Sequence, residues 1–291
     1  MKYRHLLLLL VLASPLANAM KAIFWQPQLR DSSATQAQWA SLMHTLRLQG
    51  FDTLVLQWTQ YGTAFAEGEE RQQLQQRAEA ARAAGLKVIV GLYADPDFFQ
   101  RQKQKASALT NYLDRLRAAD IKQAKEWSAH VDGWYISAEI DDLNWRTPEV
   151  RKQLQEWLDT TRRQLIAVND KPVSISSFFA GNMTPDSYSQ MLAEIHQLGI
   201  QVWVQDGRGV NVLTRQVREL YLNASAGCQS STPASGIVYE VFQATPGKTF
   251  KATPLSAQEL TSRLTQKSDC GKSTLYFSLR YLPIASGTLQ H

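Results

Sequence analysis

Along the chain, short runs of apolar residues rich in β-branched and aromatic types alternate with longer stretches whose apolar positions recur at helical spacing. The first kind reads as strands buried on both faces and the second as amphipathic helices. The strand-like runs fall at 22–26, 53–58, 88–93, 133–138, 173–178, 201–205, 237–241 and 275–279, and the helical stretches at 35–49, 69–84, 102–129, 148–168, 185–198, 213–223 and 257–266. One joint recurs three times, in Leu48-Gln49-Gly50-Phe51-Asp52-Thr53, Ala84-Gly85-Leu86-Lys87-Val88 and Leu198-Gly199-Ile200-Gln201-Val202: a helix, a glycine just past its last turn, then a strand. Thr147-Pro148 and Thr184-Pro185 place a capping hydroxyl before a first-turn proline.

Eight strands separated by seven helices predict an α/β fold, a single (β/α)8 TIM barrel whose last helix is missing or replaced by the C-terminal tail 283–291. A doubly wound open sheet would need a glycine-rich phosphate turn after an early strand, and Trp25-Gln26-Pro27-Gln28 offers none. No linker, low-complexity run or break in composition divides residues 20–291, which read as one domain.

The first residues change the picture of where this barrel works. Lys2 and Arg4 precede the apolar run Leu6 to Leu12, and Ala17-Asn18-Ala19 follows, the order of a secretory signal peptide cut after Ala19. The apolar run is about half of what a membrane helix needs, and no cysteine stands at the cleavage point to carry a lipid, so no stable membrane anchor is expected. The exported product is expected in the periplasm or outside the cell. The net charge of +5 falls to +3 without Lys2 and Arg4, with the bases scattered along helices, which argues against a nucleic-acid partner. Cys228 and Cys270 each follow a helix and precede a strand, so a barrel would set them on neighbouring loops at one end; a disulfide is the reading that export favours, two unpaired thiols the alternative.

In a barrel of this kind the site forms at the carboxyl ends of the strands. Those ends and the loops beyond them supply Trp25 and Gln26; Gln57, Trp58 and Tyr61; Tyr93 and Asp95; Glu139, Asp141 and Asp142; Phe178, Phe179 and Asn182; Gln205 and Asp206; Glu240 and Phe242; Arg280 and Tyr281. Rings beside amides suit a sugar, with its C–H face and its rim of hydroxyls. Glu139 ends the fourth strand and Glu240 the seventh, on opposite sides of the mouth. Glycosidic bonds are cleaved by such a pair, one carboxyl giving a proton to the leaving oxygen and the other attacking or activating water. Asp206, at the end of strand six before Gly207-Arg208-Gly209, is the rival partner for Glu139; if it acted, Glu240 would be a binding residue and water would attack directly.

The placement of Glu139 and Glu240 resembles that of the retaining glycosidase barrels with the acid/base on strand four and the nucleophile on strand seven, which implies those roles here. Ala138 stands where those enzymes have an asparagine. The phrases Trp134-Tyr135-Ile136-Ser137-Ala138-Glu139-Ile140-Asp141, Val204-Gln205-Asp206-Gly207 and Tyr239-Glu240-Val241-Phe242 resemble an exported glycosidase-like barrel family known as a domain of unknown function and associated with bacterial exopolysaccharide systems. That resemblance covers nearly the whole chain after the leader. It implies a polysaccharide or oligosaccharide substrate and contact with exopolysaccharide synthesis or export machinery, while an open mouth lined with rings at several strands suits endo-acting cleavage in the middle of the glycan.

Other chemistries find little support. His44, His130, His196 and His291 form no closely spaced ligand pair, so no metal and no cofactor is expected. Ser137, Ser176 and Ser177 lack a Gly-x-Ser-x-Gly frame. Trp39, Trp127 and Trp157 lie at helical core positions. A glycan-binding protein without turnover, or a scaffold of a polysaccharide export system, is the competing function.

Overall fold

The computed structural model describes residues 19–245, 251–266 and 269–290. The expected leader, apart from Ala19, lies outside them.

Eight parallel strands close into a barrel in which every neighbour in space is a neighbour in sequence. They are β1 Lys21–Trp25, β2 Thr53–Leu56, β3 Lys87–Gly91, β4 Gly133–Ile140, β5 Val173–Ser177, β6 Gln201–Gln205, β7 Gly236–Glu240 and β8 Ser273–Phe277. The connecting helices are α1 Gln36–Leu48, α2 Gly68–Ala83, α3 Ala106–Trp127, α4 Pro148–Val168, α5 Pro185–Gln197, α6 Arg215–Ala226 and α7 Ala257–Leu264. The expected barrel is therefore the observed fold. After β8 the chain makes two short 3-10 turns, Leu279–Tyr281 and Pro283–Ala285, instead of a helix, and buries Ala285 and Leu289.

Alternation along the strands sorts the core into two shells. Ala22, Phe24, Val55, Ile89, Tyr135, Trp203, Val238 and Leu275 fill the barrel. Phe24 meets the edge of Tyr135 at 5.4 Å, and Tyr135 stacks on Trp203 at 5.6 Å. Residues of the other parity, among them Ile23, Trp25, Leu54, Trp134, Ile136 and Val202, pack outward against the helices. Truncating a ring of either shell to alanine would cost about 3–5 kcal/mol.

The helix ends follow the sequence signals. Gly50, Gly85 and Gly199 have φ of 82°, 85° and 80°, the left-handed conformation that ends a helix without steric cost to glycine. Thr35 caps α1 and Thr184 caps α5 through their hydroxyls, whereas Thr147 caps α4 with no side-chain bond.

Two local expectations are corrected, and one element is added to those expected. The helix expected over 102–129 is α3, which starts at Ala106 after a separate turn at Phe98–Arg101. Gln102 is held away from it, donating to Asp141 at 2.8 Å and accepting from the Trp145 indole at 3.1 Å. The runs expected as single strands over 53–58 and 88–93 leave the barrel early, and Gln60–Tyr61 then pairs with Tyr93–Ala94 in a small parallel sheet above it. Beyond β7, Phe242–Thr245 and Lys251–Pro254 form a hairpin that the sequence pattern did not predict.

Cys228 and Cys270 are joined in a disulfide with Cα atoms 5.4 Å apart. They follow α6 and α7, as the loop placement anticipated.

Candidate active site

The carboxyl ends of the strands surround a cavity of about 670 Å³. Residues at the strand ends continue the inward parity of the barrel into it: Gln26 beyond β1, Gln57 beyond β2, Gln205 on β6, Glu240 on β7 and Phe277 on β8, joined by Glu139 of β4. Above them stand Trp58, Tyr61, Tyr93, Phe99, Phe178, Phe179, Phe242 and Tyr281. Trp58 and Tyr61 lie 4.8 Å apart, Phe242 and Tyr281 5.5 Å apart, so rings flank the cavity on two sides.

Glu139 is aimed by an irregularity in its strand. Between the pairs Ile136–Ile175 and Ile140–Ser177, four residues of β4 advance while β5 advances two. The surplus carries Ser137, Ala138 and Glu139 into the cavity wall. Ser137 ties the bulge to β2 by donating to the Gln57 carbonyl at 2.8 Å. The Gln205 amide donates to Glu139 Oε1 at 3.0 Å. Burial pushes the Glu139 carboxyl above its ordinary range, and the bond from Gln205 partly opposes that.

Glu240 is 4% exposed and is gripped through one oxygen. The backbone N–H groups of Gly209 and Val210 both donate to Oε2, the second at 3.0 Å. Gly209 can hold this place because it has no side chain: a Cβ there would lie 2.7 Å from the Phe242 carbonyl and 2.9 Å from Glu240 Oε2. The Gly209 carbonyl in turn accepts the Ala244 N–H at 2.8 Å, locking the turn after β6 to the hairpin after β7. Burial first, and then the neighbouring Asp206, push the Glu240 carboxyl up to about 8, against the two backbone donors that favour its charge.

Asp206 does not open on the cavity. Its Oδ1 accepts the backbone N–H groups of Arg208 and Glu240, both at 3.2 Å, and its Oδ2 meets the Arg263 guanidinium at 2.6 Å. Both oxygens are occupied, so Asp206 shapes the wall that carries Glu240 instead of facing a ligand.

Four further expected contacts are placed outside the cavity. Trp25 has outward parity, lies 4.3 Å from Trp39 between β1 and α1, and carries Arg77 over its ring. Asp141 closes its own turn, accepting from the backbone of Leu143 and Asn144 and from Gln102. Asn182 is bound by backbone and side chain to Asp142 at 2.8 and 2.9 Å. Arg280 makes a two-point pair with Asp31 at 2.9 and 2.8 Å and holds the Gln26 carbonyl at 3.2 Å. Asp141 and Arg280 thus bond to protein groups and fix loops at the barrel mouth.

Phe98, Phe99, Val210, Val212 and Phe277 line the cavity without a place among the expected site residues. Phe99, Val210 and Val212 carried a signal, since they are large apolar residues in loops and remain 45%, 39% and 67% exposed. Asp120 and Gln123 of α3 act from behind the wall. Asp120 accepts the Tyr93 N–H at 3.1 Å, while Gln123 accepts from Thr59 and Arg71 and donates to Gln60. Among the described residues, no group of three or more His, Cys, Asp or Glu side chains is arranged to hold a metal ion.

The family model described as Domain of unknown function (DUF4434) matches residues 20–286. The uncharacterized protein YbcH of Escherichia coli (strain K12) is 58% identical over 294 residues, spanning 100% of this chain and 99% of that protein. Among solved structures, a candidate alpha-L-fucosidase from Bacteroides thetaiotaomicron VPI-5482 superposes with a TM-score of 0.64 at 13% identity, covering 96% of this chain and 91% of its own. A GH5-4 broad specificity endoglucanase from Clostridum cellulovorans superposes with a TM-score of 0.54 at 12% identity, covering 89% and 84%. At such identities the likeness shows a fold shared with glycoside hydrolases, and the chemistry has to be argued from the site.

Proposed function

The chain belongs to the DUF4434 family, and for this member we propose a glycoside hydrolase acting on a bacterial exopolysaccharide, with Glu139 as acid/base and Glu240 as nucleophile. The observation that carries the proposal is that Glu139 and Glu240, from β4 and β7, open on one ring-lined cavity of about 670 Å³. Rings cover the C–H faces of sugars, and the amides of Gln26 and Gln57 offer donors and acceptors to hydroxyls.

The two carboxyls are held differently. Glu139 touches one side-chain amide and sits in a desolvated wall that favours its protonated form, the state of an acid that must donate to a leaving oxygen. Glu240 is fixed through one oxygen by two backbone donors, which orients the other and stabilises the anion once the proton leaves. In the proposed cycle Glu240 attacks the anomeric carbon while Glu139 protonates the departing oxygen. Glu139 then takes a proton from water as that water displaces Glu240.

Export to the periplasm or beyond is part of the proposal. It is supported by the Cys228–Cys270 bridge, which suits an oxidising compartment. The test is release of new reducing ends from a panel of exopolysaccharides by the wild-type protein and by Glu139→Gln. A glycan cleaved by the first should be cleaved at least about 10²-fold more slowly by the second. Equal rates would sink the assignment of Glu139.

One observation favours a second reading, a glycan-binding protein without turnover. With its carboxyl pushed up to about 8, Glu240 keeps its proton at neutral pH and accepts hydrogen bonds without attacking. Tight binding with no reducing ends at pH 9 would favour that reading.

A further inference from the structure

We infer that the sugars seated in this cavity carry no anionic group, so that the substrate class is a neutral glycan and not a uronate, sialylated, sulfated or phosphorylated one. The inference rests on the glycosidase reading and adds to it the charge of the substrate.

Three carboxyls, Glu139, Glu240 and Asp95, line the cavity, and among the described residues no Lys, Arg or His does. Recognition of a sugar carboxylate or sulfate ordinarily uses a cation or a converging set of donors. Two arginines behind the wall are already engaged with acids. Arg263 is buried against Asp206 at 2.6 Å, and Arg280 is buried in its two-point contact with Asp31. At the rim, Arg101 pairs with Asp97 at 3.1 Å and lies 3.5 Å from Asp95.

The donors at the cavity floor point the same way. The Gln205 amide is given to Glu139, and the Gly209 and Val210 N–H groups are given to Glu240, so the strongest local donors serve the protein's own acids. What the cavity presents to a ligand is rings, amides and acids. A hydroxyl can donate to those acids, whereas an anion is repelled by whichever of them is ionised, and the proposed cycle requires an ionised Glu240. A ligand anion about 6 Å from one ionised wall carboxyl, at the effective dielectric of a protein surface, loses roughly a hundredfold in affinity.

The experiment uses matched glycans. Oligosaccharides of cellulose, β-1,3-glucan, mannan, galactan and poly-N-acetylglucosamine are titrated into the wild-type protein, with tryptophan fluorescence and reducing-end release as readouts. The C6-carboxylated form of each and the methyl ester of that form are titrated in parallel. At least one neutral glycan should bind, with its carboxylated form weaker by roughly a hundredfold, the gap narrowing as salt is raised and closing in the ester. A carboxylated form that binds as well as its neutral parent overturns the inference and leaves the glycan reading standing. An ester as weak as the acid also overturns it, because size would then be the cause. If no member of any pair binds or is cleaved, the glycosidase reading falls and the charge inference falls with it.

Discussion

Asp206 accepts the backbone N–H of Glu240 at 3.2 Å while its other oxygen meets Arg263 at 2.6 Å, so the acid on β7 is set in place by an acid on β6. The arrangement fixes the Glu240 backbone and at the same time places a negative charge where it raises the Glu240 carboxyl. Removing that charge while keeping the acceptor separates the two effects. In Asp206→Asn, Glu240 should titrate at lower pH than in the wild type, read by carboxyl carbon NMR in labelled protein. Arg263 is left without its counter-charge, and the fold should lose about 3–5 kcal/mol. A Glu240 titration that stays in place would show that Asp206 acts only on geometry.

Glu240 also makes stability depend on pH, with a definite sign. Its carboxyl titrates at about 8 in the fold, above an ordinary value of 4.5, so between those values the native state binds more protons than the unfolded one. Stability from this group is fully present below about 4.5 and is lost as pH rises through about 8. Glu240→Gln keeps an oxygen for the Gly209 and Val210 N–H groups and has no proton to lose. Its melting temperature should therefore rise relative to wild type between pH 5 and pH 9, with a free-energy gap on the order of 1–4 kcal/mol at the upper end. A constant difference across that range would contradict the raised titration.

Gly209→Ala tests the grip on Glu240 by steric means. The added Cβ would fall on the Phe242 carbonyl and the Glu240 carboxyl, so the turn after β6 must shift and the two backbone donors with it. Activity on a cleaved glycan should fall by at least about tenfold, with loss of about 1–3 kcal/mol in stability from the crowded turn. An unimpaired rate would mean that the backbone donors to Glu240 are dispensable.

The disulfide spans a sequence separation of 42 residues. A loop of that size, closed in the unfolded chain, corresponds to about 4 kcal/mol on the chain-entropy model. Replacing both cysteines by serine should lower the denaturant midpoint accordingly, and a reducing agent should do the same to the wild type but not to the variant. Equal midpoints with and without the bridge would count against that contribution.

The barrel is legible because most strands are apolar runs and several helix ends carry a glycine or a threonine. The site was legible only in part, and parity explains the division. Once Phe24, Trp203 and Val238 are seen to face inward, Gln26, Gln205 and Glu240 follow them two residues further on, whereas Glu139 reaches the cavity through the irregularity in β4. Trp25 and Asp206 stand one residue off that phase, and their side chains leave the cavity for the helix layer and for Arg263. At a strand end the residue type signals chemistry, but its phase along the strand decides whether the side chain reaches the cavity. Asp141, Asn182 and Arg280 lie in loops, where no period applies, and their partners Gln102, Asp142 and Asp31 are distant or unremarkable in sequence. The hairpin after β7 was missed because its strands are short and mostly exposed.

The Cys228–Cys270 bridge has a consequence for proteolysis. Glu240, the hairpin and Arg263 all lie between the two cysteines. A protease that cuts once anywhere in that interval severs the backbone but leaves both fragments covalently joined, each still bearing its part of the barrel. Such a clipped chain would run as one band without reductant and as two with it.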